Sequence, residues 1–314
     1  MKPLYVRKAV QTATSILLLL GSILISTPEA SAEQHLAKIA DGIYSYLDTR
    51  NATPKNSFGA NAGIIIGKEG VLVVDTLVSA KEAARFVKDI RSVSDRPIKY
   101  VVNTHAHLDH TFGNSEFAKT GAVIVAHQNC RKNLELNGEA TLKRAKGYGL
   151  TDDDLAGTVI KLPSVTFTDR MEIDLGGLRV VLIYPGPTHT NESILVYVPE
   201  KRVLFAGDTL FTGYHPNIGD ADLPGWIKTL DYMGSLAAET IIPGHGPVSG
   251  KNDLAAMKDY LIAFDAKAKE LTASSNDIGF IVSELKKSLP QRPELDFLIG
   301  ANVQARYLKK GGAE

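Results

Sequence analysis

Six consecutive residues combine three histidines with one aspartate, and their types and spacing are typical of a metal site. They read His105-Ala106-His107-Leu108-Asp109-His110. In an extended segment alternate side chains point the same way, so His105 and His107 can bind one ion from the same side. Asp109 and His110 come just beyond, where the chain turns, and can bind a second ion close to the first. Helix capping could explain Asp109, but it would not explain three histidines as well.

Three further potential ligands occur later in the chain: His189, Asp208 and His245. Each follows a short apolar, β-like run and lies at a turn marked by glycine or proline. Taken singly, the aspartate could be a turn residue and each histidine a loop hydrogen-bonder. Together they repeat one arrangement, a rigid strand that ends in a donor, which is how sites are held on a scaffold. With the six-residue cluster they supply seven nitrogen and oxygen donors, enough for two metal ions.

The donor types limit the choice of metal without fixing it. Imidazole and carboxylate suit zinc, and also iron or manganese, whereas the absence of thiolate disfavours the softest metals. The other histidines lack such neighbours, and we interpret them as ordinary polar residues: His35, His127 and His215.

The segments that must position these donors are strands in two batches, each interleaved with or followed by helices. Period-two runs between glycine, proline and asparagine turns predict the strands at 42–47, 62–66, 71–75, 98–102, 123–126, 165–173, 178–184, 193–198, 202–206 and 239–242. Helical spacing predicts helices at 79–93, 224–236, 253–274, 277–289 and 294–309, and a mostly helical region at 129–156. Loops 51–61 and 212–220 neighbour the ligand-bearing turns and are predicted to line the cleft, the first as a flexible loop. The pattern predicts two packed sheets with helices outside.

The N-terminal segment is typical of a secretory signal peptide. A basic start precedes an apolar stretch at 16–25, and Ala30-Ser31-Ala32 forms a small-residue cleavage site. The stretch is shorter than the roughly 20 residues that a membrane-spanning helix needs. We therefore expect cleavage after Ala32 and a periplasmic or secreted protein with no membrane anchor after cleavage. The predicted organisation is a signal peptide at 1–32, a catalytic domain at 33–250 and a helical extension at 251–314 packed on that domain.

Composition restricts the class of partner. The chain has 314 residues, a formal net charge of zero and 44% hydrophobic residues, as expected for a globular protein with a buried core. Its basic residues form no stripe interleaved with aromatics, so we expect a small-molecule substrate rather than nucleic acid. Cys130 is the only cysteine, which excludes an internal disulfide and a thiolate zinc cluster. The sequence leaves the oligomeric state open.

The order and context of these donors resemble the metallo-β-lactamase superfamily of hydrolases. The resemblance runs from about residue 42 to residue 250 and implies an α+β fold, an αββα four-layer sandwich of two mixed sheets with helices on the outside. It also implies a ligand assignment: the first ion bound by His105, His107 and His189, the second by Asp109, His110 and His245, and the two bridged by Asp208. The implied cofactor is two zinc ions per chain, with iron or manganese as alternatives.

The resemblance implies an enzyme, an exported dinuclear zinc-dependent hydrolase. It would use a metal-bound hydroxide to cleave an ester, thioester, lactone or amide bond of a small substrate, with Asp109 orienting the hydroxide or moving its proton. Some zinc β-lactamases have a cysteine where this chain has Asp208, and the set of histidines and aspartates is similar to that of glyoxalase II. β-Lactam hydrolysis remains an alternative. An iron-dependent sulfur dioxygenase-type oxidoreductase is an alternative from another class.

Overall fold

The computed structural model describes residues 35–47 and 51–308. The predicted signal peptide at 1–32 lies outside these residues, and its cleavage stays a prediction. Among the helices of the described part of the chain, none combines the length and the apolar character that crossing a membrane requires.

The first sheet has seven strands that lie in chain order and are antiparallel at one edge and parallel at the other. In that order they are β1 (His35–Ala40), β2 (Ile43–Leu47), β3 (Ala62–Ile66), β4 (Val71–Val74), β5 (Ile98–Val102), β6 (Val123–His127) and β7 (Val165–Phe167). Strands β4 to β7 run parallel, so the chain segments that follow them emerge at a common edge of the sheet. The six-residue histidine cluster follows β5 at that edge.

The second sheet has five strands in the order β12-β11-β10-β9-β8, and only β11 and β12 are parallel. Its strands are β8 (Arg170–Asp174), β9 (Arg179–Ile183), β10 (Leu195–Val198), β11 (Val203–Phe211) and β12 (Thr240–His245). His189 lies in the loop between β9 and β10, whereas Asp208 and His245 belong to β11 and β12 themselves.

Eight helices complete the described part of the chain. They are α1 (Ala80–Val93), α2 (Leu108–Thr111), α3 (Asn114–Lys119), α4 (Gln128–Arg144), α5 (Leu223–Ser235), α6 (Lys251–Ser274), α7 (Ile278–Ser288) and α8 (Phe297–Asn302). Three of the long helices begin where the sequence provides a cap: the side chains of Ser79, Asp222 and Asp277 each accept a hydrogen bond from a backbone N–H of the first turn.

Alternation along the strands produces three apolar layers, and these define the sandwich. In β4, Val71 and Val73 pack toward α1 and α3, whereas Leu72 and Val74 pack between the two sheets. In β11, Leu204 and Ala206 likewise pack toward the helices that cover the second sheet. The order of layers is therefore helix, sheet, sheet, helix, which confirms the predicted αββα fold.

A glycine in β3 allows the two sheets to approach closely. A Cβ atom on Gly63 would lie 2.3 Å from the ring of Phe205 in the second sheet, so any side chain here would displace that ring. The interior between the sheets is filled by the phenylalanine instead.

The C-terminal helices cover the second sheet. Buried residues of α6, α7 and α8, among them Phe264, Leu285 and Ile299, share one apolar core with α5, β9 and β11. The first of these helices, α6, begins at Lys251, and the division into a catalytic domain and a helical extension stays a prediction.

Three structural predictions need correction. The predicted strand at 165–173 is two strands that belong to different sheets, because Thr168 and Asp169 break the run and carry the chain from the first sheet to the second. The predicted helix at 294–309 is shorter, with α8 followed by a π-helical turn at Val303–Tyr307. Strand β1 was not predicted; it pairs with β2 at the edge of the first sheet.

Candidate metal centre

All seven predicted ligand residues lie together at one edge of the two sheets, in two adjoining groups. The first contains His105, His107, His189 and Asp208, and the second contains Asp109, His110 and His245, with candidate ligand atoms within 4.8 Å of one another in each group. His107 is partly exposed and the other six residues are buried.

In the first group three ring nitrogens face a common point. His107 Nδ1 lies 3.0 Å from His105 Nε2 and 3.0 Å from His189 Nε2. The fourth ligand atom, Asp208 Oδ2, lies 3.6 Å from His105 Nε2 and 3.4 Å from His189 Nε2. Four ligands arranged tetrahedrally at zinc bond lengths lie about 3.3 Å from one another, which agrees with these spacings.

The second group surrounds the other oxygen of Asp208. Asp208 Oδ1 lies 3.1 Å from His110 Nε2 and 3.5 Å from His245 Nε2. Asp109 Oδ2 lies 3.4 Å from the same nitrogen of His245. One carboxylate therefore presents one oxygen to each group, as the predicted bridging role requires.

The local backbone explains how Asp208 enters this position. It lies within β11 rather than after it, at an irregularity where the pairing with β12 shifts on both sides of Gly207. On the facing strand, a Cβ atom at Gly244 would lie only 2.0 Å from Asp208 Oδ1. A glycine at this point of β12 is therefore what leaves room for the carboxylate.

Four histidines have their second ring nitrogen fixed by a neighbour, which orients Nε2 toward the groups. His189 Nδ1 donates to the carbonyl of Asn217 at 2.9 Å, and His245 Nδ1 donates to the carbonyl of Phe58 at 3.1 Å. A carbonyl only accepts hydrogen bonds, so each of these rings carries a proton on Nδ1, and Nε2 is the nitrogen that offers a lone pair to a cation when the ring is neutral.

The other two orienting contacts converge on one buried carboxylate, Asp75, at the end of β4. Its Oδ2 accepts from His110 Nδ1 at 2.9 Å and from the hydroxyl of Thr104 at 2.7 Å, and its Oδ1 accepts from the N–H of Thr104. The same hydroxyl lies 3.1 Å from His105 Nδ1 and can accept its proton. Asp75 thus orients one histidine of each group.

Glu192 connects two ligand-bearing loops. It lies three residues after His189, and its Oε1 accepts from the N–H of Ala106, between His105 and His107, at 3.2 Å. Its Oε2 accepts from Asn133 of α4 at 2.8 Å. Burial raises the pKa of this carboxyl, although the nearby His107 opposes the shift.

Electrostatics distinguish the two groups in the metal-free protein. Burial holds the pKa of His105 well below its ordinary value and lowers that of His189 to about 3, so both rings are neutral and able to bind a cation. Burial would also lower the pKa of His245, but Asp208 and Asp109 outweigh it and raise the value to about 9. A proton on His245 thus offsets the negative charges of Asp109 and Asp208 when no cation does so.

A pair of cations fits these residues. His110 Nε2 and Asp208 Oδ1 are buried and lie 3.1 Å apart, but neither atom makes a hydrogen bond with a described residue. Leaving such atoms without a partner costs about 1–3 kcal/mol each, a cost that metal coordination removes. One cation could be held by His110, His245 and Asp208, and the other by His105, His107 and His189.

Other predicted residues lie nearby with different roles. Asn217 contributes a backbone carbonyl, while His215 is directed away, with its Nδ1 2.7 Å from the hydroxyl of Tyr260. His127 accepts from the N–H of Asn129 at the start of α4, as expected for a polar residue outside the site. Loop 51–61, predicted as flexible, contains a 3₁₀ turn at Pro54–Gly59, and Asn61 ties it to β12 through the carbonyls of Pro243 and Gly246.

Asp75 and Glu192 were not among the functional residues predicted from the sequence. Asp75 carried a weak signal, a carboxylate directly after the buried strand β4, but turns also place aspartate there. No feature of the sequence distinguished Glu192 from a solvent-exposed glutamate in a loop. Thr104 is a simpler case, because it directly precedes His105 in the sequence and its hydroxyl contacts that ring.

This chain belongs to the metallo-beta-lactamase superfamily, whose sequence profile matches residues 57–245. The match contains all seven candidate ligands, and it confirms the predicted membership. A solved metallo-beta-lactamase from Pontibacter korlensis has the same fold, with a TM-score of 0.60, 22% identity, and coverage of 73% of this chain and 98% of that one.

Individual relatives carry different enzyme names. The alpha subunit of 2,4-dinitroanisole O-demethylase from Nocardioides sp. (strain JS1661) is 33% identical over 183 residues, 58% of this chain and 51% of that protein. A linear primary-alkylsulfatase from Pseudomonas sp. (strain ATCC 19151) is 29% identical over 60% of this chain and 42% of its own length. A type 2 metallo-beta-lactamase from Bacteroides fragilis is 24% identical over 68% of this chain and 80% of that protein. The matches thus span about half or less of the first two relatives.

Proposed function

We propose that this protein is an exported dinuclear zinc hydrolase that cleaves an ester, thioester, lactone or amide bond of a small substrate. One observation carries the proposal: Asp208 lies between two ligand groups with one carboxylate oxygen directed to each. Such a carboxylate is suited to hold two cations a few ångströms apart, the arrangement found in two-metal hydrolytic sites. The complete set of histidines and aspartates favours two hydrolytic metals over a single redox iron.

When bound, two zinc ions would lower the pKa of a water molecule between them toward neutrality and polarise the bond that is attacked. The residues of the chain supply the remaining functions. His105, His189, His110 and His245 are held in one tautomer by the acceptors described above, so binding a cation requires little reorganisation. Burial of these rings excludes bulk water from all but one side of the site.

The exposed side of the site indicates where a substrate approaches. His107 is partly exposed and the side chain of Asp109 is 12% exposed, whereas the rings of His105 and His110 are fully buried. Asp109 Oδ2 therefore lies at the boundary between the ligand groups and the cleft. We assign it the role of orienting the attacking water and holding the proton that this water releases.

Metal analysis and a substrate panel together test the proposal. Protein purified from its native compartment should contain two zinc ions per chain, and zinc-loaded protein should hydrolyse at least one of a thioester, a lactone, a carboxylic ester and nitrocefin. A phosphodiester extends the panel to a further class of ester. A primary alkyl sulfate and 2,4-dinitroanisole extend it to compounds after which two relatives are named. One iron per chain with oxygen consumption, or no turnover of any substrate with both metals bound, would refute hydrolysis by this site.

Export is tested separately. Cell fractionation should place the protein in the periplasm or medium, and N-terminal sequencing of the mature form should begin at Glu33. A cytoplasmic protein with an intact N-terminus would contradict export without affecting the proposed chemistry.

A further inference from the structure

The loop between β11 and α5, residues 212–222, forms one side of the first ligand group. Its central carbonyl, that of Asn217, accepts the hydrogen bond from His189 Nδ1. The direction of this carbonyl therefore decides which nitrogen of His189 faces the group. This direction is set by the peptide bond that joins Asn217 to Ile218.

A side chain from the C-terminal extension holds that same peptide bond. Asn302, at the end of α8, is 2% exposed, and its Oδ1 accepts from the N–H of Ile218 at 2.8 Å. Its Nδ2 donates to the carbonyl of Pro216, also at 2.8 Å. The amide group of Asn302 thus contacts the backbone on both sides of Asn217.

Planarity of the peptide unit transmits this contact to the ligand. The carbonyl of Asn217 and the N–H of Ile218 belong to one planar trans unit and point in opposite directions. A hydrogen bond that fixes the N–H therefore also fixes the carbonyl. The resulting chain of contacts runs from Asn302 through the peptide unit to His189 Nδ1, and its far end is the free Nε2 lone pair of His189.

Other residues of the extension hold the two ends of the loop. Arg292 Nη1 donates to the carbonyls of Phe211 and Tyr214 at 2.8 Å each, and Arg306 Nη1 donates to the carbonyl of Ala221 at 2.7 Å. All three of these contacts come from residues beyond position 245, where the family match ends. The loop is held at both ends, and Asn302 acts at its centre.

We propose that Asn302 is a positioning residue for the first metal, and that the C-terminal extension completes the metal centre in this way. It sets the tautomer and direction of His189 through the peptide unit between Asn217 and Ile218. The proposal rests on the proposed metal centre and is independent of the bond that the enzyme cleaves.

The substitution N302A removes both contacts of the amide and frees the peptide unit to rotate. Two-bond ¹H–¹⁵N NMR of metal-free protein reports histidine tautomers, and the wild type should show His189 protonated on Nδ1. In N302A we expect a mixture of the two tautomers. Chelator competition should show the dissociation constant of the first metal raised about tenfold, at the low end of the range for residues that orient a ligand.

The control variant L285A separates positioning from stability. Leu285 is fully buried in the apolar core of the same extension. L285A should lower the unfolding temperature while keeping the wild-type tautomer and metal affinity. Wild-type tautomer and affinity in N302A, or equal changes in both variants, would overturn the proposal.

If N302A fails to fold, N302D provides the same test. A carboxylate still accepts from the N–H of Ile218 but cannot donate to the carbonyl of Pro216. N302D should therefore keep the Nδ1 tautomer of His189 at neutral pH, and a mixture of tautomers would contradict the role of that hydrogen bond. If the wild type binds no metal, the proposed function fails, whereas the tautomer comparison still decides what Asn302 does.

Discussion

Replacing Asp75 with asparagine should reverse the direction of hydrogen bonds that orient a histidine in each ligand group. In the wild type, Asp75 Oδ2 accepts from His110 Nδ1 and from the Thr104 hydroxyl, and Oδ1 accepts from the N–H of Thr104. In D75N the carbonyl oxygen must take the position facing this backbone N–H, because an amide nitrogen there would oppose another donor. The amide nitrogen then faces His110 and the hydroxyl.

The expected losses of metal affinity and of folding stability follow from the hydrogen bonds that D75N changes. An amide nitrogen donates to His110 Nδ1, which moves the ring proton to Nε2 and blocks the lone pair needed by the second metal. Losing an orienting partner costs about 10–100-fold in metal affinity. The lost charged hydrogen bonds should also reduce the free energy of unfolding of the metal-free protein by about 1.5–3 kcal/mol. The first group should be affected less, because the Thr104 hydroxyl can rotate.

The backbone makes asparagine the suitable substitution. Asp75 has φ of 62°, a left-handed conformation that asparagine and aspartate tolerate. Alanine at this position would add roughly 1–2 kcal/mol of backbone strain, which would obscure the electrostatic effect. The matched control is D89N on α1, where the carboxylate of Asp89 accepts from the hydroxyl of Tyr46.

Metal content after dialysis and chelator competition provide the assay. D75N should retain close to one metal per chain under conditions in which the wild type and D89N retain two. The reasoning is refuted if D75N binds the second metal with wild-type affinity, or if D89N loses it to the same degree.

Three other outcomes are expected. D109N should reduce kcat by about 10²–10⁴ with little change in KM, because a proton-handling group is lost while substrate contacts remain; near-normal turnover with both metals bound would exclude this role. E192Q should weaken the affinity for the first metal about tenfold relative to the exposed control E69Q, because an amide cannot accept hydrogen bonds from both Ala106 and Asn133. Equal affinity in the two variants would show that Glu192 is not needed to orient the loop. In metal-free protein the pKa of His245 is raised to about 9, so the stability that its proton contributes is complete below the pKa of the unfolded state, near 6.5, and is lost as pH rises toward 9. The unfolding temperature of chelator-treated protein should fall between these two pH values. An unfolding temperature that does not change with pH would show that the carboxylates do not hold this proton.

The ligand residues could be predicted because their chemistry is carried by side-chain type and spacing. Four donors in six residues have few structural explanations, and His189, Asp208 and His245 each lie within two residues of a glycine or proline. The helices predicted at 79–93 and 224–236 begin within one residue of those bounds, where the side chains of Ser79 and Asp222 cap them. Alternating apolar residues likewise predicted the two sheets and the αββα sandwich.

The orienting partners could not be predicted in the same way. His189 and His245 are oriented by backbone carbonyls, which every residue has, so nothing in the sequence distinguishes Asn217 or Phe58 for that role. The contact of Asn302 with the loop spans 84 residues and depends on how the extension packs. The break between β7 and β8 was missed because apolar residues occupy alternate positions from Val165 to Ile173, except at Asp169, which is the pattern of a single strand. The two halves belong to different sheets only in the folded structure.

The two ligand groups both draw residues from the two halves of the sandwich. His105 and His110 follow a strand of the first sheet, whereas Asp208 and His245 belong to the second. Bound metals would therefore cross-link the sheets, and separating the halves would require breaking several coordination bonds at once. Because ligands that bind only the native state oppose unfolding, the lifetime of the protein in the presence of proteases would depend on the local supply of metal. When metal is limiting, the metal-free protein would then be degraded faster, so the protein would be lost together with its activity.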